Sequence, residues 1–131
     1  MRNFGVITAI AIGIAVAVSV GVGISKEETL RVVDGDTLAL GDARYRFENI
    51  DTPEVGGRAE CLAERMLADL ATQRLEELVA EGVTIVPVGR ADQYGREIVW
   101  VEMGDIDVGD LLVEEGYARP WRGQREDWCS E

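Results

Sequence analysis

"TLRVVDGDTLALGDARYRFENIDTPE", Thr29 to Glu54, is the stretch whose reading decides the fold. Its β-branched and aromatic runs are cut at Asp34-Gly35 and at Gly41-Asp42, both tight-turn signals. Three short strands follow: "TLRVV" (Thr29–Val33), "DTLAL" (Asp36–Leu40) and "ARYRFENI" (Ala43–Ile50), joined as a meander. Thr52-Pro53 ends it, because proline cannot donate to a strand ladder.

Beyond this meander the period changes. From Ala59 to Glu81, Leu62, Met66 and Leu70 recur every fourth residue, and Leu67, Ala71, Leu75, Leu78 and Val79 widen the stripe. Charges take the other face and Gly82 supplies the stop, which predicts a helix with its leucine stripe in the core. "VTIVPVG" and "EIVWVEM" read as two further strands around the polar loop "RADQYGR". Pro87 pushes the first of them to an edge or a bulge. "VGDLLVEEG" reads as a short helix, with Asp107 as its cap and Gly116 at its end. The order β-β-β-α-β-β-α predicts a mainly β domain with helices, a five-stranded Greek-key barrel of the OB type.

The 131 residues allow one domain and little more. Phe4 to Ile24 is uncharged and apolar, flanked by Arg2 and by Lys26, Glu27 and Glu28. At about 1.5 Å per residue it can cross a hydrocarbon core roughly 30 Å thick. Residues 1–27 therefore read as an N-terminal hydrophobic helix, either a transmembrane anchor or a signal peptide, and 28–131 as the folded domain. Either way the domain faces the periplasm or exterior, or is secreted. Cys61 and Cys129, an even pair in a small exported domain, read as a disulfide, with two unpaired thiols as the alternative. A monomer is expected.

Composition removes much chemistry. With no histidine there is no Ser-His-Asp triad and no HExxH zinc helix, and two cysteines alone argue against zinc. No phosphate-binding glycine loop is present. Acids and bases must be carboxylates, electrophiles arginines, and any metal must take oxygen ligands. The net charge of −12 sits awkwardly with a polyanionic partner. Every basic residue after Lys26 is an arginine, the better bidentate phosphate ligand.

Three short stretches fit that chemistry. "DGDT" places Asp36 just past a tight turn. "RFENIDTPE" holds Arg46, Asp51 and Glu54; on a regular strand Arg46 and Asp51 would face opposite ways, but Asn49 and a bend before Pro53 could redirect Asp51, with Glu54 just past the kink. "DQYGR" sets Arg96 at the start of a strand. Arginines facing carboxylates suit phosphodiester cleavage: guanidinium groups stabilise the extra charge on phosphorus, and a carboxylate handles water. Each stretch alone is an ordinary turn; their combination is what points to a site.

Taken in order, "VVDGDTLAL", "RFENIDTPE", "CLAERMLADLA", "DQYGREIVWVE" and "VGDLLVEEGYARPW" resemble the staphylococcal nuclease (thermonuclease) family, from about Leu30 to Trp121. The resemblance implies an OB-fold, calcium-dependent nuclease that hydrolyses DNA and RNA and leaves 3′-phosphorylated ends. It implies Asp36 and Asp51 as calcium carboxylates, with Thr52 offering its backbone carbonyl. It further implies Arg46 and Arg96 as the phosphate-binding arginines, Glu54 as the residue handling water, and Tyr94 beside the phosphate. Well-known secreted members are basic and carry a long C-terminal helix, whereas this chain is acidic and ends about ten residues after Trp121. Its tail, "WRGQREDWC", gathers Arg119, Arg122 and Arg125 beside Trp121 and Trp128. Trp121 and Arg122 are candidates to stack and neutralise a single strand, unless the tryptophans simply cap the core. A Cys61–Cys129 bond would anchor the tail in place of the missing helix. The rival function is a non-catalytic OB module of the cell envelope that binds nucleic acid or another partner.

Overall fold

A computed structural model describes residues 28–130; the hydrophobic segment predicted over 1–27 lies outside them. No helix among the described residues is long and apolar enough to cross a membrane. The elements are β1 (Arg31–Asp34), β2 (Thr37–Leu40), β3 (Ala43–Phe47), β4 (Ile50–Asp51), α1 (Leu62–Glu81), β5 (Thr84–Ala91), β6 (Glu97–Met103), β7 (Ile106–Asp107), α2 (Val108–Glu114) and β8 (Arg119–Pro120). Every strand and helix expected from the sequence over residues 28–130 is present. The short strands β4, β7 and β8 add to them.

The main sheet runs β1-β2-β3-β6-β5, with β7 on β6, and β4 pairs β8 in a separate two-stranded ladder. The meander is antiparallel and puts Thr37 opposite Arg46. β3 then meets β6 in parallel, with Arg46 opposite Ile98. Among the described residues β5 pairs only with β6, and its register shifts between Pro87 and Ala91. Proline thus sits on an edge strand beside an irregularity, where its missing N–H does least harm.

The architecture is mainly β with two helices, but the expected barrel does not close. Among the described residues no ladder joins β1 to β5. β1 is only four residues long. A cleft lined by Leu30, Val32, Val79 and Val83 lies between β1, the end of α1 and the approach to β5.

Helix α1 starts on Cys61, whose sulfur accepts from the Glu64 N–H, and stops at Gly82, whose φ of 103° suits glycine. Its buried residues are Glu64, Ala68, Ala71, Leu75 and Leu78. This corrects the sequence reading in part: Leu62, Met66 and Leu70 are 70%, 59% and 51% exposed. The reason is close approach. A Cβ on Gly35 would lie 3.0 Å from the Ala71 Cβ and 2.9 Å from the Thr52 Cγ2. The Asp34-Gly35-Asp36 turn therefore admits only alanine-sized helix residues beneath it, and the larger stripe, two positions away and about 200° round the helix, turns outward. Leu75 and Leu78 pack with Leu38, Phe47, Ile50, Val99, Val101, Val108 and Leu112 to form the core.

Helix α2 is capped by Asp107, which accepts from the Asp110 N–H. Asn49 Nδ2 donates to Asp107 Oδ1 at 2.9 Å and to Asp110 Oδ1 at 3.1 Å, fixing the β3–β4 bend against the helix start. Gly109 leaves room for that amide: a Cβ there would lie 2.5 Å from Asn49 Oδ1.

Candidate active site

The Asp34–Asp36 turn and the β3–β4 bend pack side by side and line one cleft of about 460 Å3. Asp36 is buried and fully engaged: Oδ1 accepts from Thr37 Oγ1 at 3.0 Å and Oδ2 from the Thr52 N–H at 3.1 Å. Thr52 thus ties the two segments together, and the missing side chain of Gly35 lets it come close enough. Asp34 Oδ1 accepts from the Asp36 N–H.

Arg46 leaves β3 and lies buried between carboxylates. Its NH1 donates to the carbonyls of Phe47 and Ile50, each at 2.8 Å, and so spans the bend. Its NH2 lies 3.5 Å from Asp36 Oδ2 and 3.8 Å from Asp51 Oδ1. The bend at Glu48–Asn49 brings Asp51 to the same side as Arg46, which a straight strand would forbid. Trp121 covers the guanidinium, its ring centroid 5.4 Å from Cζ, and is 43% exposed.

Glu54 follows Pro53, its carboxylate 3.3 Å from Arg58 Nε. Its backbone N–H donates to Glu64 Oε1 at 3.1 Å, and the Glu60 N–H donates to Glu64 Oε2 at 2.7 Å. Glu64, 1% exposed, also accepts from Arg125 NH2. Burial alone would raise the Glu64 carboxyl, but the N–H groups of Glu60 and Glu54 and the Arg125 guanidinium outweigh it and hold the group below the usual range.

Across the cleft, Asp92 Oδ1 gathers the N–H groups of Tyr94 and Arg96, each at 2.9 Å. Its Oδ2 takes Arg96 Nε at 2.6 Å. Burial opposes the Asp92 charge, yet the Arg96 backbone and side chain together lower its pKa. The guanidinium stacks on Tyr94, with Cζ 5.5 Å from the ring centroid. Gly95, at φ 78°, makes this tight loop feasible.

The cleft therefore gathers Asp36, Arg46, Asp51, Glu54, Tyr94, Arg96 and Trp121 of the residues expected from sequence. Thr52 sits behind them, fully buried. Arg122 does not join: it is 69% exposed and pairs with Glu126 outside the cleft. Asp34, Arg58 and Glu64 were not singled out in the sequence. Asp34 offered a signal, since "DGD" places two carboxylates on one turn. Glu64 offered none, because a glutamate in a helix's first turn normally faces water.

Electrostatically the cleft is short of positive charge. Burial, reinforced by Asp36, raises the Asp34 carboxyl to about 7. Burial also raises Asp51, with Asp36 adding to it, while the Glu126 N–H, the Trp128 indole and Arg46 pull it back. Crowded, buried oxygen donors of this kind fit a hard divalent cation. The Cys61–Glu64–Cys129 cluster does not, because both sulfurs are joined in a disulfide.

Residues 44–130 match the family described as Staphylococcal nuclease homologue. This chain belongs to that family. The matched span holds Arg46, Asp51, Thr52, Glu54, Tyr94, Arg96, Trp121 and both cysteines; Asp34 and Asp36 lie just before it. This nuclease homologue is also similar to the SPbeta prophage-derived endonuclease YokF of Bacillus subtilis (strain 168), with 33% identity over 96 residues. That alignment covers 68% of this chain and 32% of the relative, so the chain spans about a third of its length.

Proposed function

We propose that this nuclease homologue hydrolyses phosphodiester bonds in DNA and RNA, uses calcium, prefers single strands and leaves 3′-phosphorylated ends. The observation that carries the reading is the convergence, in a family member, of Arg46, Arg96, Glu54 and the Asp36–Asp51 pair on one cleft. In this reading the domain is an OB-type nuclease fold acting as a monomer outside the cytoplasm, tethered or released according to the fate of residues 1–27.

Asp36, Asp51 and the Thr52 carbonyl would hold the cation, which when bound supplies charge to polarise a phosphate oxygen. The remaining work falls to the chain. Glu54, held by its own backbone N–H on Glu64, orients or deprotonates the attacking water. Arg46 is fixed through NH1 and presents NH2 inward. Arg96 lines the same cleft with its Nε engaged by Asp92, and its remaining N–H groups would meet the substrate. Two fixed guanidinium groups stabilise the charge that grows on phosphorus, at little reorganisation cost. Tyr94 lies beside the phosphate, and Trp121 offers a face for an unpaired base.

The test incubates purified full-length protein with denatured DNA and calcium, follows cleavage on a gel, and identifies the product ends. Cleavage is expected, and it is expected to stop in chelator. Arg96→Ala and Glu54→Ala should each lose about 100-fold or more in rate while melting within a few degrees of the parent. Nucleic acid bound but left uncut would favour the binding-module reading. Near-full activity in both variants would remove the site assignment.

A further inference from the structure

The chain after α2 is tied to the cleft in a way the proposed reaction does not itself require. β8 pairs with β4, so that Arg119 lies opposite Asp51. From there the tail folds back as a strap over the same carboxylate. The Glu126 N–H donates to Asp51 Oδ2 at 2.9 Å, and the Trp128 indole N–H donates to the same oxygen at 3.2 Å. Asp51 Oδ1 is left facing Arg46 and the cleft.

The strap is stapled to itself and to α1. Arg119 NH1 donates to the Asp127 carbonyl at 3.0 Å, and its guanidinium stacks 4.3 Å from the Trp128 ring centroid. Arg122 and Arg119 both pair with Glu126. Arg125 pairs with Glu64, and Cys129 closes onto Cys61 at the cap of α1, across a sequence separation of 68.

We propose that this strap, latched by the Cys61–Cys129 disulfide, is a positioning device for the metal carboxylate Asp51, with Trp128 and the Glu126 backbone as its working contacts. The proposal rests on the calcium reading of the cleft. The physical basis is that outer hydrogen bonds fix which carboxylate oxygen faces a cation. Two N–H donors on Oδ2 prevent Asp51 from rotating, so Oδ1 is offered without an ordering cost at the moment of binding. The latch can be opened: a dithiol breaks the S–S bond, delivers two electrons and two protons to give the Cys61 and Cys129 thiols, and itself becomes a disulfide. The strap then loses its covalent end, and calcium affinity falls with it.

The test measures calcium binding calorimetrically on the full-length protein, alongside the melting midpoint in chelator. Trp128→Phe keeps a ring for Arg119 and keeps the disulfide, but deletes the N–H to Asp51. Its calcium Kd is expected to rise about tenfold, at the low end for outer-sphere partners of metal ligands, with the chelator midpoint little moved. Treatment with a dithiol is expected to weaken calcium binding at least as much, with recovery after reoxidation. Calcium binding by Trp128→Phe at the parent's affinity overturns the proposal, even if the reduced protein proves too unstable to measure. Failure of the parent itself to bind calcium would instead overturn the proposed function on which this rests.

Discussion

Arg46 has two duties that pull on one side chain. Through NH1 it closes the β3–β4 bend, and through NH2 it reaches the carboxylates. Removing it leaves two buried carbonyls without their donor, at a cost of about 1–3 kcal/mol. Arg46→Ala is therefore expected to lose cleavage and to melt well below the parent, unlike Arg96→Ala, whose partner Asp92 keeps two backbone donors. Parallel melting curves and rates separate the two cases. Asp34 carries a different expectation. Its carboxyl titrates at about 7 in the folded chain against an ordinary value of 3.8. Between those values the folded state holds a proton that the unfolded state has released, so stability falls as pH rises. Asp51 is shifted the same way. Glu64 is lowered, so its contribution is lost only as pH falls below the usual carboxylate range. In chelator, urea midpoints should decline from about pH 4.5 to 7.5, and Asp34→Asn should flatten much of that slope. An unchanged slope in that variant would place the titration elsewhere.

At the scale of elements, α1 shows what periodicity can and cannot convey. The helix and its Gly82 stop are where the pattern puts them, while its start at Leu62, capped by Cys61, comes three residues after Ala59, where the pattern begins. Only part of the predicted stripe is buried, Ala71, Leu75 and Leu78 but not Leu62, Met66 or Leu70, because packing distance decided it: Gly35 and Ala71 come close, and the helix turns to let them. Leu75→Ala is accordingly expected to cost about 2–5 kcal/mol, while truncations on the outward face cost little. Met66→Ser in particular should stay within about 0.5 kcal/mol in chemical denaturation. A large loss at Met66 would mean that this face is covered in the native protein. The site shows the same division. Asp36, Arg46, Asp51, Glu54 and Arg96 were legible because their stretches combine turn chemistry with charge. Glu64 and the Asp51 contacts of Glu126 and Trp128 were not, since they join residues separated by 10, 75 and 77 positions with no local pattern. The open sheet was equally hidden: strand number and order do not say whether the first and last edges meet.

For the whole molecule, the net charge of −12 must be reconciled with the polyanionic substrate proposed above. The cleft does not escape it locally. Arg46 lies by Asp36 and Asp51, Arg58 by Asp34 and Glu54, Arg90 by Glu48, Arg96 by Asp92, and Arg125 by Glu60 and Glu64. Each cleft arginine thus already has an acid for a neighbour, and the surface beyond is acidic on balance. At long range the molecule repels a phosphate backbone, and salt screens that repulsion within about a Debye length, 10 Å at 0.1 M. Basic nucleic-acid binders behave oppositely, losing affinity steeply as salt is added. In the proposed function a cation held by Asp36 and Asp51 would change the sign only within the cleft, and so would strengthen final docking more than encounter. The association rate with a single-stranded oligonucleotide, measured in calcium between about 20 and 200 mM salt, is therefore expected to stay level or rise. A steep fall over that range would show that an attractive basic face, not the cation-loaded cleft, captures the substrate.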